Sequence, residues 1–174
     1  MKLLVVAALL CGSMFLTTAY VSGGAGGLIP TAKSYRFNMS SGCPYGWTHF
    51  NQRCFVYIPR SMSWAQAERN CLSMGAHLAS VHSSSEYHHI LKLTGDHGYK
   101  ETWIGGTDAS EENVWLWSDG TPFHYTHWCP GEPNNSGKQD CLQMNYGDSK
   151  CWDDMQCHEN RPSVCAKKIS KHQG

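Results

Sequence analysis

Trp128-Cys129-Pro130-Gly131-Glu132-Pro133-Asn134-Asn135-Ser136-Gly137-Lys138-Gln139-Asp140-Cys141 has neither helical nor strand periodicity and is rich in turn-forming Gly, Pro and Asn. It closes an irregular region that opens near Ser118. A loop of that length inside a compact domain is usually functional or cross-linked, and Cys129 in its middle provides for cross-linking. Its polar side chains are largely oxygen donors: Glu132, Asn134, Gln139 and Asp140, joined by Asp153 and Asp154 just beyond Cys151. Hard oxygens in that number suit Ca²⁺, which takes about six to eight ligands. Cysteines committed to disulfides would supply no thiolate for zinc.

Working outward, the flanks carry regular structure. Towards the C-terminus, Leu142 to Tyr146 and Ser163 to Ala166 read as strands. Towards the N-terminus, so do Cys54 to Ile58, Thr102-Trp103-Ile104 and Val114-Trp115-Leu116-Trp117. Two helices precede the later strands. Ser63 and Gln66 form a capping box, Trp64, Ala67, Cys71 and Leu72 form its apolar stripe, and Gly75 stops it. Ser83 and Glu86 open the second in the same way, with a stripe of Tyr87, Ile90, Leu91 and Thr94 and a stop at Gly95. The class is α+β: two helices, short antiparallel strands and one long loop region.

The ends read differently. Met1-Lys2 followed by an apolar run and then small residues predicts a signal peptide over 1–22, cleaved at about 19–23. The apolar run is shorter than the roughly 20 residues that a membrane span needs. Residues 23–42 read as a flexible Gly/Ser-rich arm or propeptide with an N-glycosylation sequon at Asn38, 43–168 as a single domain, and 169–174 as a tail. Fourteen basic residues against fourteen acidic ones give no excess positive charge for phosphate neutralisation, so a nucleic-acid partner is not expected. Nine cysteines point to an oxidising compartment, and Cys11 leaves with the signal peptide. The expected product is secreted, with no membrane span, and any oligomer it forms is not covalent. Eight cysteines alone allow on the order of a hundred pairings.

The block 43–168 resembles a C-type lectin domain over its whole length. In order, the matching elements begin with Cys43-Pro44-x-Gly46-Trp47, Cys54, Cys71 and Leu78-Ala79-Ser80-Val81. Trp103-Ile104-Gly105-Gly106, Trp115-x-Trp117-Ser118-Asp119-Gly120 and Glu132-Pro133-Asn134 follow. The set ends with Cys141, Cys151-Trp152-Asp153-Asp154, Cys157 and Cys165. The resemblance implies the C-type lectin-like fold and the pairs Cys43–Cys54, Cys71–Cys165 and Cys141–Cys157, which leaves Cys129 with Cys151. That extra pair is similar to fish lectins and fish type II antifreeze proteins.

The resemblance also implies a principal Ca²⁺ site at Glu132, Asn134, Gln139, Asp140, Asp153 and Asp154. Glu132, Asn134 and Asp153 would contact sugar hydroxyls there, and the Glu-Pro-Asn triplet is the form associated with mannose-type vicinal diols. Two positions depart from the family pattern. Gln139 replaces a usual Glu in a shortened loop, and Asp153 replaces a usual Asn, so one change offsets the charge of the other. A second metal site maps to Asp108, Glu112, Asn135 and Asp140. Asn134-Asn135-Ser136 is itself a sequon, and a glycan on Asn134 would obstruct the first site.

The expected function is a secreted, calcium-dependent lectin for mannose-type glycans, with a role in innate defence. The first alternative is an antifreeze protein that binds an ice surface. Ala109 and Asp140 stand where many such proteins carry a fifth disulfide, which weighs against it. The second alternative is a calcium-independent protein-binding module, suggested by Gln139. Ten histidines show no metal-ligand spacing, and most Trp residues read as core. No Ser-His-Asp, Cys-His or paired-carboxylate arrangement follows from the spacing, so an enzyme is not expected.

Overall fold

The computed structural model describes residues 42–169. The expected signal peptide, the arm with Asn38 and the tail beyond residue 169 lie outside the described residues. Within them the order is β1 (Thr48–Phe50), β2 (Arg53–Met62), α1 (Trp64–Ser73), β3 (His77–Leu78), α2 (Ser84–Gly95), β4 (Thr102–Thr107), β5 (Leu116–Trp117), β6 (Cys141–Tyr146), β7 (Cys151–Met155) and β8 (Arg161–Lys168).

One sheet holds all eight strands, in the order β1-β2-β8-β4-β6-β7, with β3 on β8 and β5 on β4. The first long strand and the last are thus partners: Arg53 lies opposite Lys168 and Ile58 opposite Ser163. The expected antiparallel pairing is joined by one parallel contact, β4 on β8 through Trp103 and Ser163. Trp103-Ile104-Gly105-Gly106 is packed tightly enough to explain its composition. A Cβ on Gly105 would sit 2.6 Å from the Leu78 carbonyl oxygen, and one on Gly106 2.6 Å from Leu142 Cδ1. Any larger residue would prise β4 away from its neighbours.

Both helices start where their caps predict. The Ser63 hydroxyl accepts from Gln66 N at 3.4 Å, and the Gln66 side-chain oxygen accepts from Ser63 N at 3.3 Å. In α1 the buried face is Ala67 and Cys71, whereas Leu72 is half exposed, so the stripe is narrower than expected. Ser83 caps α2 by accepting from Glu86 N, but the Glu86 carboxylate does not close the box. It is drawn instead to His82 N and to Arg53 Nη1, each at 2.7 Å. An ion pair in the interior outcompetes a local cap because it neutralises a charge that burial would otherwise strand.

The core gathers Phe55, Tyr87, Ile90, Ile104, Leu142, Met144, Trp152 and Val164 in one cluster, and Leu78, Trp103 and Cys165 in another. Four disulfides cross it: Cys43–Cys54, Cys71–Cys165, Cys129–Cys151 and Cys141–Cys157. Cys71–Cys165 ties α1 to β8. Cys129–Cys151 fastens the long loop to the start of β7, where Cys129 N donates to the Trp152 carbonyl at 2.9 Å and Trp152 N to that of His127 at 2.8 Å. The loop therefore runs beside β7 as an additional rail. Three strands lie outside the sequence expectation: β1, β3 and β7. Of these, β7 matters most, since its Cys-Trp-Asp-Asp-Met sequence has no alternation and is buried on both faces.

Candidate functional site

Because β7 is buried on both faces, it carries two acids into the interior. Asp153 is 3 % exposed and Asp154 1 %. Register with β6 sets Gln143 opposite Asp153 and Leu142 opposite Asp154. Gln143 Nε2 donates to Asp153 Oδ2 at 2.7 Å, and Gln143 Oε1 accepts from Arg161 Nε at 2.9 Å. Gln143, fully buried, thus relays the orientation of Arg161 to Asp153 without bringing a positive charge to it.

Asp154 shapes the loop. Its two carboxylate oxygens accept from Asn134 N at 3.0 Å and Asn135 N at 2.6 Å, turning the chain so that Glu132 and Asn134 face the β7 acids. The Glu132–Pro133 peptide is cis. Asn134 Nδ2 donates to Glu132 Oε1 at 2.9 Å, and Asn134 Oδ1 accepts from Ser136 N at 2.8 Å. Ligand oxygens of Glu132, Asp153 and Asp154 consequently lie within 4.8 Å of one another. Among the described residues this is the only such convergence of three or more His, Cys, Asp or Glu side chains.

Electrostatically the cluster is incomplete. Among the described residues no Lys or Arg is within ion-pair distance of its three carboxylates. Glu132 Oε2 is buried without a hydrogen-bond partner. Burial, followed by the neighbouring Asp154 and Asp153, pushes the Glu132 carboxyl up to about 7. Burial also raises Asp153, and the charge of Asp154 adds to it. Three acids so placed repel one another and lack a counter-charge, which is the donor set a hard divalent cation would complete.

The other expected ligands divide. Gln139 is buried, with Nε2 directed at Met155 Sδ at 3.7 Å and its side-chain oxygen unpartnered. Asp140 belongs with the second set: its carbonyl accepts from Asp108 N at 3.2 Å, and its charge raises Asp108 and Glu112, in both cases after burial. Asn135 bridges the two sets, since its backbone N bonds Asp154 while its Nδ2 donates to Glu112 Oε2 at 2.5 Å. Asp108 accepts from Asn113 N at 2.9 Å, and its second oxygen is buried without a partner. Asp108, Glu112 and Asp140 do not converge as Glu132, Asp153 and Asp154 do.

Gln143 and Arg161 are site residues that sequence reasoning passed over. The available signal was an amide inside the apolar run Leu142-Gln143-Met144. A side chain with two hydrogen-bonding ends at a core position needs buried partners. The aromatic residues around the loop are structural: Trp128 packs 5.8 Å from Trp152 and 4.8 Å from Trp115, ring centre to ring centre.

Residues 60–167 match the family model for the lectin C-type domain. Ladderlectin of Oncorhynchus mykiss is 44 % identical over 129 residues, 72 % of this chain and 68 % of that protein. The galactose-specific lectin nattectin of Thalassophryne nattereri is 40 % identical over 135 residues, covering 75 % of this chain and 83 % of its own length. Among solved structures, the herring type II antifreeze protein superposes with a TM-score of 0.70 at 40 % identity, across 74 % of this chain and all of that one. Among the described residues, no helix is long and apolar enough to cross a membrane.

Proposed function

Since the chain belongs to the C-type lectin domain family, we propose that it is a secreted lectin in which Glu132, Asn134, Asp153 and Asp154 hold Ca²⁺ and recognise vicinal sugar hydroxyls. The observation that carries this reading is the convergence of three carboxylates with no counter-charge and one unpartnered buried oxygen. Those residues fit a hard cation: all are oxygen donors, and the Asp154 contacts hold the loop against β7. When bound, Ca²⁺ would neutralise the acids and offer open coordination positions to hydroxyl oxygens.

The chain's own groups then set the specificity. Glu132 Oε1 is an acceptor and Asn134 Nδ2 a donor, and they bond to each other at 2.9 Å. A neighbouring pair of hydroxyls can replace that internal bond, donating a hydrogen bond to Glu132 and accepting one from Asn134. The order acid-then-amide supports mannose-type equatorial diols, whereas nattectin is a galactose-specific relative. One such site gives millimolar binding, about −4 kcal/mol, so useful avidity requires several sites presented together.

Binding to mannose-agarose and galactose-agarose in calcium, with elution by a chelator, tests the reading. Retention on mannose that a chelator releases is expected, with Glu132→Gln no longer retained. Retention indifferent to calcium overturns the calcium mechanism, and retention on galactose alone overturns the diol assignment. The likeness to an antifreeze structure supports one further reading, an ice-binding surface, which thermal hysteresis with and without calcium addresses.

A further inference from the structure

Asn134-Asn135-Ser136 is the only Asn-x-Ser/Thr sequence among the described residues, and it falls on a proposed metal and sugar ligand. Its middle residue is not proline, as glycan transfer requires. The Asn134 side chain is exposed at the edge of the carboxylate cluster. Its Nδ2 lies 2.9 Å from Glu132 Oε1, while its oxygen is held by Ser136 N. The nitrogen that would receive a glycan is therefore the one that faces the ligand acids.

We propose that Asn134 is an N-glycan acceptor, and that its modification closes the sugar site, so that each copy of the chain is either glycosylated at Asn134 or competent to bind. The chemistry is that of the secretory pathway. The C1–O bond joining an oligosaccharide to a lipid pyrophosphate breaks, an Nδ2–C1 bond forms, and the displaced amide proton leaves with the lipid pyrophosphate. One of the two Nδ2 hydrogens is lost, and a sugar ring is anchored beside Glu132. That ring occupies the space through which an external diol would approach Glu132 and Asn134. The proposal rests on the lectin reading for its consequence, but the modification itself does not.

Ser136→Ala separates the two. It removes the sequon and retains both Asn134 and the backbone contacts of residue 136, which are its N–H to Asn134 Oδ1 and its carbonyl from Gln156 Nε2. The full chain, secreted from eukaryotic cells, would be digested for mass spectrometry of the peptide containing Asn134 and applied to mannose-agarose in calcium. The expected result is a glycan on Asn134 in the unretained fraction, an unmodified Asn134 in the retained fraction, and retention of the Ser136→Ala chain that exceeds wild type by the share of wild-type chains carrying the glycan. An unmodified Asn134 throughout, with both forms retained, overturns this proposal and leaves the lectin reading standing. Glycosylated chains retained as well as Ser136→Ala chains also overturn it. A glycan on Asn134 with neither form retained, and no calcium titration by Ser136→Ala, overturns the lectin reading and the closure together.

Discussion

Glu86 and Asp119 are acids taken into the fold with a cation beside them; Glu132, Asp153 and Asp154 are acids taken in without one. Arg53 Nη1 lies 2.7 Å from Glu86, and its Nη2 lies 3.9 Å from Asp119. Ser80 completes the network, accepting from Arg53 Nη2 at 2.9 Å and donating to Asp119 at 2.5 Å. Burial pushes the Asp119 carboxyl up, but hydrogen bonds from Ser80 and Thr121 and the charge of Arg53 bring it below its ordinary range. In the loop cluster, burial and like charge act together, and Glu132 is pushed up to about 7. Burial alone therefore does not mark a binding site. What sets the loop cluster apart is that, among the described residues, no Lys or Arg faces its carboxylates.

The largest effect is expected where the charges are already paired. Arg53→Met leaves Glu86, whose side chain is 4 % exposed, without its counter-ion, and should cost about 3–5 kcal/mol in urea unfolding. A loss below about 1 kcal/mol would mean that the Arg53–Glu86 pair does little to hold the fold, and the contrast between the two regions would fail.

Calcium should act only on the other region. With a dissociation constant of about 10⁻⁴–10⁻³ M, 10 mM Ca²⁺ stabilises the fold by roughly 1.4–2.7 kcal/mol, readable as a rise in Tm. Arg53→Met should show the same increment, and Glu132→Gln should lose most of it. Equal shifts in wild type and Glu132→Gln would place the ion elsewhere.

The smallest effect is one of pH, with opposite signs in the two regions. The folded-state carboxyl of Glu132 is raised from 4.5 to about 7, so between those values the folded chain holds a proton that the unfolded chain has released. Without calcium, stability contributed there falls as pH rises from about 4.5 to 7 and is level above. Asp119 is lowered, so its contribution is present above its unfolded value of 3.8 and is lost as pH falls below it. Chelator-treated Glu132→Gln should show a flatter Tm between pH 5 and 7 than wild type. An equal slope in both chains would detach Glu132 from the effect.

Much of the fold was legible in the chain because its signals are local. Ser63 with Gln66 opens α1, and the apolar runs around Cys54, Thr102, Leu142 and Ser163 became strands. The exceptions are instructive. Leu72 keeps helical spacing but lies half exposed, since periodicity names a face without saying how wide its neighbour is. Strand β7 was invisible as a strand because two of its five residues are aspartates, and strand propensity counts against Asp. Glu86 looked like a capping residue and became the partner of Arg53, a choice made by a residue 33 positions away.

The site shows the same division. Composition placed Glu132, Asn134, Asp153 and Asp154 on two segments rich in oxygen donors, because residue types and short spacings are properties of the chain itself. Tertiary structure decided which of them meet. Pairing of β6 with β7 and the grip of Asp154 on the loop backbone bring Glu132 to the β7 acids, whereas Asp140 is held beside Asp108. It alone revealed Gln143 and Arg161 behind Asp153. Sequence fixes which groups are available, but whether a charge is buried and left unpaired depends on what lies within a few ångströms in space, and distant segments supply most of that.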